Sequence, residues 1–360
     1  MKCMVVNSGS SSVKFSVYKD EKLLEHKIFE EISSHKEVLE CFFQDKNMDE
    51  FDFIVHRVVH GGDIFKKPTV IDKDNIKLLK SLNDLAPLHN PANVEAIEYF
   101  LKYYPNIKQV AVFDTSFHQT MPPKAFLYAI DKKYYLKHHI RRYGFHGSSH
   151  NYLLNEAAKL LKKDIKKTNL ITIHLGNGAS ICAIKNAKSI DTSMGFTPLE
   201  GLVMGSRCGD LDVGIVSYMM EKLKLNISEI DKELNKKSGL IGLCSTNDIR
   251  EIQTRDDEDA KLALEIYTTR VKKYIGSYLA ILDNVDAIVF SGGVGENSSI
   301  VREKILKGLE KFGILTDFEL NKKNHTIISK TSSCIKVFVI KTNEELQMLN
   351  SAKEMLYGGK

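Results

Sequence analysis

The sequence predicts an α/β protein built from two similar halves. Two distant stretches, Cys3–Tyr18 and Leu170–Ile184, each consist of an apolar β run, a tight turn of small residues and a second alternating run. A third Gly-rich turn follows an apolar run in Ala287–Asn297. Strand and helix patterns alternate along the chain, as they do in α/β layers. Because turns of small residues expose backbone N–H groups that hold phosphate, we also expect a nucleotide between the two halves.

Runs rich in Val, Ile and Phe are predicted to form strands. The predicted strands are Cys3–Val6, Val13–Val17, Phe53–Val59, Gln109–Phe113, Leu170–His174, Ala179–Ile184, Ala287–Ser291 and Ile335–Ile340. Stretches with helical periodicity are predicted to form helices. The predicted helices are Ala92–Tyr104, Asn151–Lys163, Ala260–Leu282 and Ile300–Phe312.

A chain of 360 residues is long enough for two domains with separate cores. No low-complexity linker divides it, so we place the junction at the turn Phe117–Pro123. After Glu345 the chain is expected to return to the first half as a helix. The predicted first lobe is therefore residues 1–118 plus 346–360, and the second, nucleotide-binding lobe is residues 119–345.

Composition excludes several classes of protein. The net charge of +5 is small for this length, and no basic block indicates binding to nucleic acid. No apolar run approaches the ~20 residues needed to cross a bilayer. The six cysteines show no metal-binding spacing, so we expect reduced thiols and a cytoplasmic location. We also expect no signal peptide, because a strand begins at Lys2.

The first Gly/Ser turn carries two candidate ligands, Asn7 and Lys14. Lys14 alternates with apolar Val13 and Phe15, so its ammonium would point toward an anion on the opposite side of the strand. Ordinary hairpin chemistry explains the same residues equally well.

Two strand ends carry charged residues suited to ligand binding. Arg57 ends the strand in H-R-V-V-H-G-G, and an arginine is well shaped to hold a carboxylate or a phosphate. A structural ion pair is the alternative for Arg57. Asp114 directly follows the strand Gln109–Phe113, where ligands bind in α/β sheets. An Asx-turn is the alternative for Asp114.

Histidines in two loops are further candidates. In A-P-L-H-N-P, Asn90 precedes Pro91 and is predicted to cap a helix, while the role of His89 stays open. In Y-G-F-H-G-S-S-H, His146 lies beside glycines and is predicted to sit on a turn facing a ligand. His150 in the same motif is predicted to have a structural role at the start of a helix.

Two later loops add a second arginine and a pair of acids. Arg207 lies on a Gly-flanked loop, and together with Arg57 it would hold a group whose charge is spread over several oxygens. That is the main requirement of phosphoryl transfer. Glu344 or Glu345, after the last strand, would bind a hard cation such as Mg²⁺. The first turn of a helix is the alternative for these acids.

The motifs gain specificity from their order along the chain. They are N-S-G-S-S-S-V-K, H-R-V-V-H-G-G, A-P-L-H-N-P, F-D-T-S-F-H, Y-G-F-H-G-S-S-H, H-L-G-N-G-A-S, G-L-V-M-G-S-R, S-G-G-V-G-E-N and T-N-E-E-L. From Met4 to about Asn350 the chain resembles the acetokinase family, within the sugar kinase, Hsp70 and actin superfamily. The resemblance implies two actin-like (ribonuclease H-like) lobes with a duplicated mixed-sheet core and an interlobe cleft, paired as a homodimer.

The resemblance also implies an activity. It implies a phosphotransferase that moves the γ-phosphoryl of ATP reversibly and in line to the carboxyl group of acetate, giving acetyl phosphate and ADP. Carried over residue by residue, it implies catalytic roles for Asp114, Arg57, His146 and Arg207. It implies that Arg57 holds the substrate carboxylate and that the small methyl pocket is lined by Val59, Leu88, Phe145 and Pro198.

The nucleotide and metal sites are implied in the same way. The resemblance places Mg²⁺, with Mn²⁺ as an alternative, on Asn7 and Glu344. It implies that ATP or ADP contacts Lys14, His174, Leu175, Gly176, Asn177, Gly178, Asp248, Ile249, Arg250, Gly293, Val294, Gly295, Glu296 and Asn297.

The chain departs from the family pattern in places, and other functions stay open. The segment between Lys14 and Arg57 is shorter than is usual, and the family's Thr-Arg-Ser is here Ser206–Cys208. A kinase of propionate or another short-chain carboxylate is the nearest alternative, although Val59 favours acetate. A nucleotide-dependent binding module would not need Arg57, Asp114 and a carboxylate pocket. A filament protein of the actin type has only the fold in its favour.

Overall fold

A computed structural model gives the fold of residues 1–9, 12–44, 46–87 and 89–358. The strands are β1 (Lys2–Ser8), β2 (Ser12–Lys19), β3 (Lys22–Glu30), β4 (Phe53–Val58), β5 (Thr69–Ile71), β6 (Lys108–Phe113), β7 (Leu170–Leu175), β8 (Ala179–Lys185), β9 (Lys188–Thr192), β10 (Ala287–Ser291) and β11 (Lys336–Val339).

The helices lie between β3 and β7 and after β9. They are α1 (His35–Phe43), α2 (Ile76–Lys80), α3 (Asn90–Tyr103), α4 (Pro123–Phe126), α5 (Lys133–His138), α6 (Gly147–Leu161), α7 (Val213–Glu221), α8 (Ile227–Lys236), α9 (Gly239–Cys244), α10 (Ile249–Ile252), α11 (Glu258–Ile281), α12 (Gly292–Asn297), α13 (Ser299–Leu306), α14 (Phe318–Lys322) and α15 (Glu344–Tyr357). Short 3₁₀ turns lie at Met48–Glu50, Asn83–Leu85, Ser116–Thr120, Ile165–Lys167 and Glu310–Phe312. None of the helices in these ranges is both long and apolar enough to cross a membrane.

The same sheet topology occurs twice, which confirms the predicted duplicated mixed-sheet core. One sheet has the order β3-β2-β1-β4-β6-β5, and the other has the order β9-β8-β7-β10-β11. In each, three antiparallel strands form a meander, and two further strands continue the sheet parallel to the first strand of that meander. The first sheet has one strand more, β5, which pairs antiparallel with β6 at the edge. The repeated hairpin in the sequence therefore corresponds to β1–β2 and β7–β8.

The chain forms two compact units. Unit 1 contains residues 1–119, 147–149 and 343–360, and unit 2 contains residues 120–146 and 150–342. The lobe boundaries expected from the sequence stay a prediction.

Alternation along β1 gives unit 1 a core on both faces of its sheet. Met4 and Val6 pack with Phe15 of β2, with Phe42 of α1 and with Phe100 of α3. The intervening residues Cys3 and Val5 pack with α15 on the opposite face. Burial of each large apolar side chain contributes about 1.5–3 kcal/mol to folding, so both helix layers hold the sheet in place.

Several local predictions need correction. Strands β3, β5 and β9 were not predicted, because their side chains are mostly exposed or mixed and lack an apolar run. The helix predicted over Ile300–Phe312 ends at Leu306, and only Glu310–Phe312 continues as a 3₁₀ turn. Asn90 is the first residue of α3 and not its cap. Its buried amide instead accepts from the N–H of His60 and donates to the carbonyl of the same residue.

Candidate active site

In unit 1, Arg57 and Asp114 form a two-point ion pair. Nε of Arg57 donates to Oδ1 of Asp114 at 3.0 Å, and Nη2 donates to Oδ2 at 2.7 Å. Strands β4 and β6 are parallel neighbours, so their carboxyl ends bring the two residues together. The backbone N–H of Asp114 also donates to the carbonyl of Val58 at 3.0 Å.

This ion pair keeps the guanidinium charged although it is largely surrounded by protein. Burial acts to lower the pKa of Arg57, but the charge and hydrogen bonds of Asp114, with a contribution from Glu344, outweigh it and raise that pKa. Asp114 is only 3% exposed, so its carboxylate is held away from solvent. A permanently charged fork in a fixed orientation suits recognition of a carboxylate or a phosphate.

The residues expected to bind a metal ion lie around the same guanidinium. Oδ1 of Asn7 is 3.4 Å from Nη1 of Arg57, and Glu344 begins α15 close enough to act on the charge of Arg57. Lys14 is directly opposite Asn7 in the β1–β2 register. Within the described ranges, no three His, Cys, Asp or Glu side chains cluster as a metal site. An amide oxygen and a carboxylate do fit Mg²⁺, which keeps several waters and takes few protein ligands.

Val59 follows β4 and is almost fully buried. Its backbone N–H donates to Oδ1 of Asn93 at 3.1 Å, and the amide of Asn93 also donates to the carbonyl of Ser8. Asn93 thus ties the loop after Arg57 to the end of β1. Leu88, the other residue expected to line the methyl pocket on this side, lies outside the described residues.

In unit 2, His146 occupies a turn directly before α6, as the sequence predicts. Its φ of 57° is left-handed, and it precedes Gly147, the first residue of the helix. The imidazole stacks on that of His174 with ring centroids 4.4 Å apart. Phe145, before the turn, is buried. His150 lies in the first turn of α6, as predicted.

His146 and Arg207 both approach the same glycine of the β7–β8 turn. A Cβ built on Gly178 would lie 3.4 Å from Nε2 of His146 and 3.7 Å from Nη1 of Arg207. The missing side chain therefore lets two side-chain nitrogens come close to this turn. Turns that expose backbone N–H groups are suited to holding phosphate.

The loop that carries Pro198 is fixed by a half-buried polar cluster that the sequence did not reveal. The carboxylate of Glu200 accepts from Nη2 of Arg142 and from the hydroxyl of Tyr128. The same hydroxyl accepts from the backbone N–H of Phe196 at 2.9 Å. Nη1 of Arg207 donates to the carbonyl of Pro198 at 2.9 Å, so this cluster also positions Arg207.

No motif signalled this cluster. Burial opposes the charge on Arg142, but Glu200 outweighs it and raises the pKa of Arg142. Burial and the negative charge of Glu200 both raise the pKa of Tyr128, which therefore remains a hydroxyl donor. A Cβ on Gly195 would collide with both Glu200 and Tyr128, which explains the glycine at that position.

A cavity of about 540 Å³ opens in unit 2 where β7 and β10 end. Ligands bind at the carboxyl ends of strands in open α/β sheets. Among the residues expected to contact nucleotide, the cavity is lined by Gly176, Asn177, Asp248, Ile249, Arg250, Gly293, Val294 and Asn297. It is also lined by residues that were not anticipated, namely Gly205, Leu240, Asn247, Gln253, Tyr267 and Ser298.

Other residues expected to contact nucleotide do not line this cavity. They are Lys14 in unit 1 and His174, Leu175, Gly178, Gly295 and Glu296 in unit 2. Oε1 of Glu296 accepts from the backbone N–H groups of Gly292 and Thr342, at 2.9 and 3.0 Å. Asp248 caps α10 and pairs with Arg250, whose hydrogen bonds lower the pKa of the Asp248 carboxyl.

Comparison with known proteins identifies the family. The profile described as "Acetokinase family" matches residues 25–350. The acetate kinase of Sulfurimonas denitrificans is 49% identical, covering 99% of this chain and 100% of the relative. A crystal structure of Porphyromonas gingivalis acetate kinase has 38% identity and a TM-score of 0.91, covering 99% of both chains. A Francisella tularensis propionate kinase has 41% identity and the same TM-score, 0.91, covering 97% of this chain and 98% of its own. The chain belongs to the acetokinase family.

Proposed function

We propose that this protein transfers the γ-phosphoryl group of ATP to acetate, reversibly, giving acetyl phosphate and ADP. The observation that carries the proposal is the Arg57–Asp114 ion pair with the buried Val59 two residues along the chain. A charged fork near a small apolar wall suits a carboxylate that bears a methyl group. Relatives named acetate kinase, at up to 49% identity over the full chain, support the same substrate.

The acceptor needs no general base, because an ionised carboxylate is already a nucleophile. An oxygen of acetate attacks the γ-phosphorus, the bond to the β–γ bridging oxygen breaks, and ADP leaves with that electron pair. The protein must align two anions and offset their repulsion. We assign Arg57 to the acetate carboxylate and Asp114 to the orientation of Arg57. Both oxygens of Asp114 accept from Arg57, which supports positioning over proton transfer.

We assign His146 and Arg207 to the charge that develops on the transferred phosphoryl. Their nitrogens flank Gly178, which supports a shared phosphate position beside the β7–β8 turn. Donors placed in advance where charge develops contribute most to such reactions. The cavity lined by Asn177, Asp248 and Gly293 is the proposed site for the nucleoside of ATP or ADP.

We also propose Mg²⁺, with Mn²⁺ as an alternative, on Asn7 and Glu344. When bound, the ion would neutralise charge on the phosphates of the nucleotide. The oxygen donors of these two residues near Arg57 support the assignment. Lys14, opposite Asn7 on the neighbouring strand, would add a positive charge on the same side.

A homodimer in the cytoplasm completes the proposal. Exposed apolar side chains on and beside α7 support an association surface, since such patches mark interfaces. They include Val213, 78% exposed, Tyr218, 59% exposed, and Leu223, 56% exposed. Sedimentation equilibrium would test this: a mass twice that of the 40.7 kDa chain is expected, and a monomer would contradict it.

Propionate is the second candidate acceptor, favoured by the similarity to a protein named propionate kinase. Discrimination by one methylene is worth only about 1–3 kcal/mol, so some activity on both acids is expected. The test is acyl phosphate formation with ATP and Mg²⁺, trapped as hydroxamate, for formate, acetate, propionate and butyrate. A maximum at acetate is expected. A maximum at propionate would reassign the substrate, and binding of ATP without any product would favour a binding module.

A further inference from the structure

A continuous chain of hydrogen bonds runs from His146 into the core of unit 2. Nδ1 of His146 lies 2.8 Å from Oγ of Ser180, and the same oxygen lies 2.8 Å from Nε2 of His150. Nδ1 of His150 lies 2.8 Å from Oγ1 of Thr172. Ser180, His150 and Thr172 are each 0% exposed. The side chain assigned to the phosphoryl group is therefore connected to three buried polar groups.

The fold brings these four residues together for simple geometric reasons. His146 lies on the turn before α6 and His150 lies in its first turn, and both imidazoles reach the hydroxyl of Ser180. Ser180 is opposite His174 in the β7–β8 register, and Thr172 lies two residues before His174 on β7. Side chains two residues apart on a strand share a face of the sheet. The two histidines thus pack over one polar patch of the sheet.

The chain of contacts restricts where protons reside. A serine hydroxyl has a single proton, so Ser180 donates to one imidazole and accepts an N–H from the other when both contacts are hydrogen bonds. With Thr172 donating to Nδ1 of His150, Nε2 of His150 carries a proton and donates to Ser180. Ser180 then donates to Nδ1 of His146. A neutral His146 must in that case carry its proton on Nε2.

If the hydrogen bond between His146 and Ser180 ran in the opposite direction, Nε2 of His146 would be an acceptor and not a donor. If Nδ1 of a neutral His146 donated to Ser180, Nε2 would present a lone pair beside Gly178. A lone pair there would repel phosphoryl oxygens, whereas an N–H donates to them. The nitrogen concerned is the one that lies 3.4 Å from a Cβ built on Gly178.

We propose that Thr172, His150 and Ser180 form a positioning relay that holds neutral His146 with its proton on Nε2, directed at the transferred phosphoryl group. The inference rests on the proposed function for the role of His146. The three relay residues are positioning residues and do not touch substrate. The resemblance to the family gave His150 no such role, and no motif pointed to Thr172.

Kinetics of paired variants test the relay. Ser180→Ala removes the bridging hydroxyl, and Thr172→Val removes the terminal hydroxyl with little change of shape. We expect kcat to fall about ten- to a hundredfold in both, as for other groups that orient a functional imidazole, with KM for ATP and acetate nearly unchanged. Thr172→Ser keeps the hydroxyl and should restore kcat. Thr268→Val removes a buried hydroxyl that donates to the carbonyl of Leu264, away from the relay, and serves as the control.

The tautomer of His146 gives a readout that loss of packing alone would not produce. In protein labelled with ¹⁵N-histidine, with His146→Gln identifying the signals, we expect a neutral ring protonated on Nε2. Ser180→Ala should then shift population toward the Nδ1-protonated form. A wild-type ring protonated on Nδ1 would overturn the proposal, as would a folded Thr172→Val variant with wild-type kcat. Because the NMR result does not require turnover, it remains decisive even if no carboxylate is phosphorylated.

Discussion

Arg57 and Asp114 form a two-point ion pair in which Nε and Nη2 of the guanidinium donate to separate carboxylate oxygens, at 3.0 and 2.7 Å. Nη1 donates to Oδ1 of Asn7 at 3.4 Å. Asp114 therefore fixes the plane of the guanidinium, and the proposed reaction uses the Nη1 edge to hold the anion. In the proposed reaction the aspartate positions the arginine and does not accept a proton.

Replacing the carboxylate tests that role. Asp114→Asn keeps the shape but offers only one acceptor to the fork of Arg57. We expect kcat/KM for acetate to fall by about 10²–10³, comparable with loss of one preorganised group that stabilises a transition state. Because the change also leaves a largely buried guanidinium without its counter-charge, the free energy of unfolding should fall by about 3–5 kcal/mol.

Arg57→Lys is the matched control for the charge. It keeps one positive charge but not the fork, so activity should fall although the pairing with Asp114 persists. Steady-state kinetics and urea unfolding, measured on both variants, separate the two effects. Wild-type kcat/KM in a folded Asp114→Asn protein would contradict the positioning role.

The size of Val59 is predicted to set the acyl preference. Val59→Ala removes two methyl groups from a residue that is 9% exposed, and the space would accept another methylene. We expect the ratio of kcat/KM for propionate to that for acetate to rise about ten- to a hundredfold. The hydroxamate assay with both acids measures the ratio directly. An unchanged ratio would place the methyl group of the substrate elsewhere.

Gly178 is predicted to accept no side chain without loss of activity. A Cβ there would lie 3.4 Å from Nε2 of His146 and 3.7 Å from Nη1 of Arg207, in the space assigned to phosphate. Gly178→Ala should lower kcat/KM for ATP by about 10²-fold with little change in thermal stability. Gly276→Ala, in the middle of α11 with nothing within 4 Å of the added carbon, is the control. It should leave kinetics unchanged and stabilise the helix by about 0.5–1 kcal/mol.

Glu344 is predicted to determine the requirement for Mg²⁺. Glu344→Gln keeps an oxygen but removes the charge, so a higher Mg²⁺ concentration should be needed for half-maximal activity. The neighbouring Glu345, whose Oε2 accepts from the hydroxyl of Ser16, supplies the matched control Glu345→Gln. Titration of activity with Mg²⁺ distinguishes the two variants. Identical Mg²⁺ dependence in wild type and Glu344→Gln would remove Glu344 from the metal site.

His56 is predicted to make the fold sensitive to acid. Burial lowers its pKa from 6.5 to about 3, because its ring lies in the core against Phe100. Above pH 6.5 both the folded and the unfolded chain hold it neutral, and its contribution to stability is fully present. Below that value only the unfolded chain binds the proton, so stability is lost as the pH falls toward 3.

The expected slope is about 1.4 kcal/mol of unfolding free energy per pH unit from this one group. Urea unfolding between pH 7 and pH 4 measures the slope, and His56→Gln removes the titrating ring. In the variant, the unfolding free energy should change with pH less steeply, by the equivalent of about one bound proton, or about 1.4 kcal/mol per pH unit. Equal slopes in the two proteins would show that His56 binds a proton in the folded state.

The sequence allowed strands to be predicted where the side chains on both faces of the sheet are buried. The hairpins β1–β2 and β7–β8 each combine an apolar run, a turn of small residues and an alternating run, so they were predicted. Strand β3 was missed because its side chains are mostly exposed and its apolar residues, such as Leu23 and Ile28, are interspersed with charged ones. Helix α13 ends at Leu306 although helical periodicity continues, since Gly308 adopts a left-handed φ of 87°.

Residues of the candidate site were recognisable only where a motif carried them. Arg57 and Asp114 lie at the carboxyl ends of predicted strands, so their location was informative. Glu200 lies outside the motifs, and Ser180 ends the motif H-L-G-N-G-A-S without any sign of its own role. The partners of both are distant in sequence: Arg142 is 58 positions from Glu200, and His146 is 34 positions from Ser180. Such pairings depend on strand register and helix placement, which periodicity does not specify.

Direct transfer from ATP to a carboxylate is the central claim, and following the phosphoryl group tests it most directly. The protein is incubated with Mg²⁺, acetate and ATP labelled with ³²P at the γ-position, and the labelled products are separated. The account predicts label in acetyl phosphate in equal amount to the ADP formed, with none released as inorganic phosphate in step with ADP. Label that appears only as inorganic phosphate, or that stays in ATP, would contradict it.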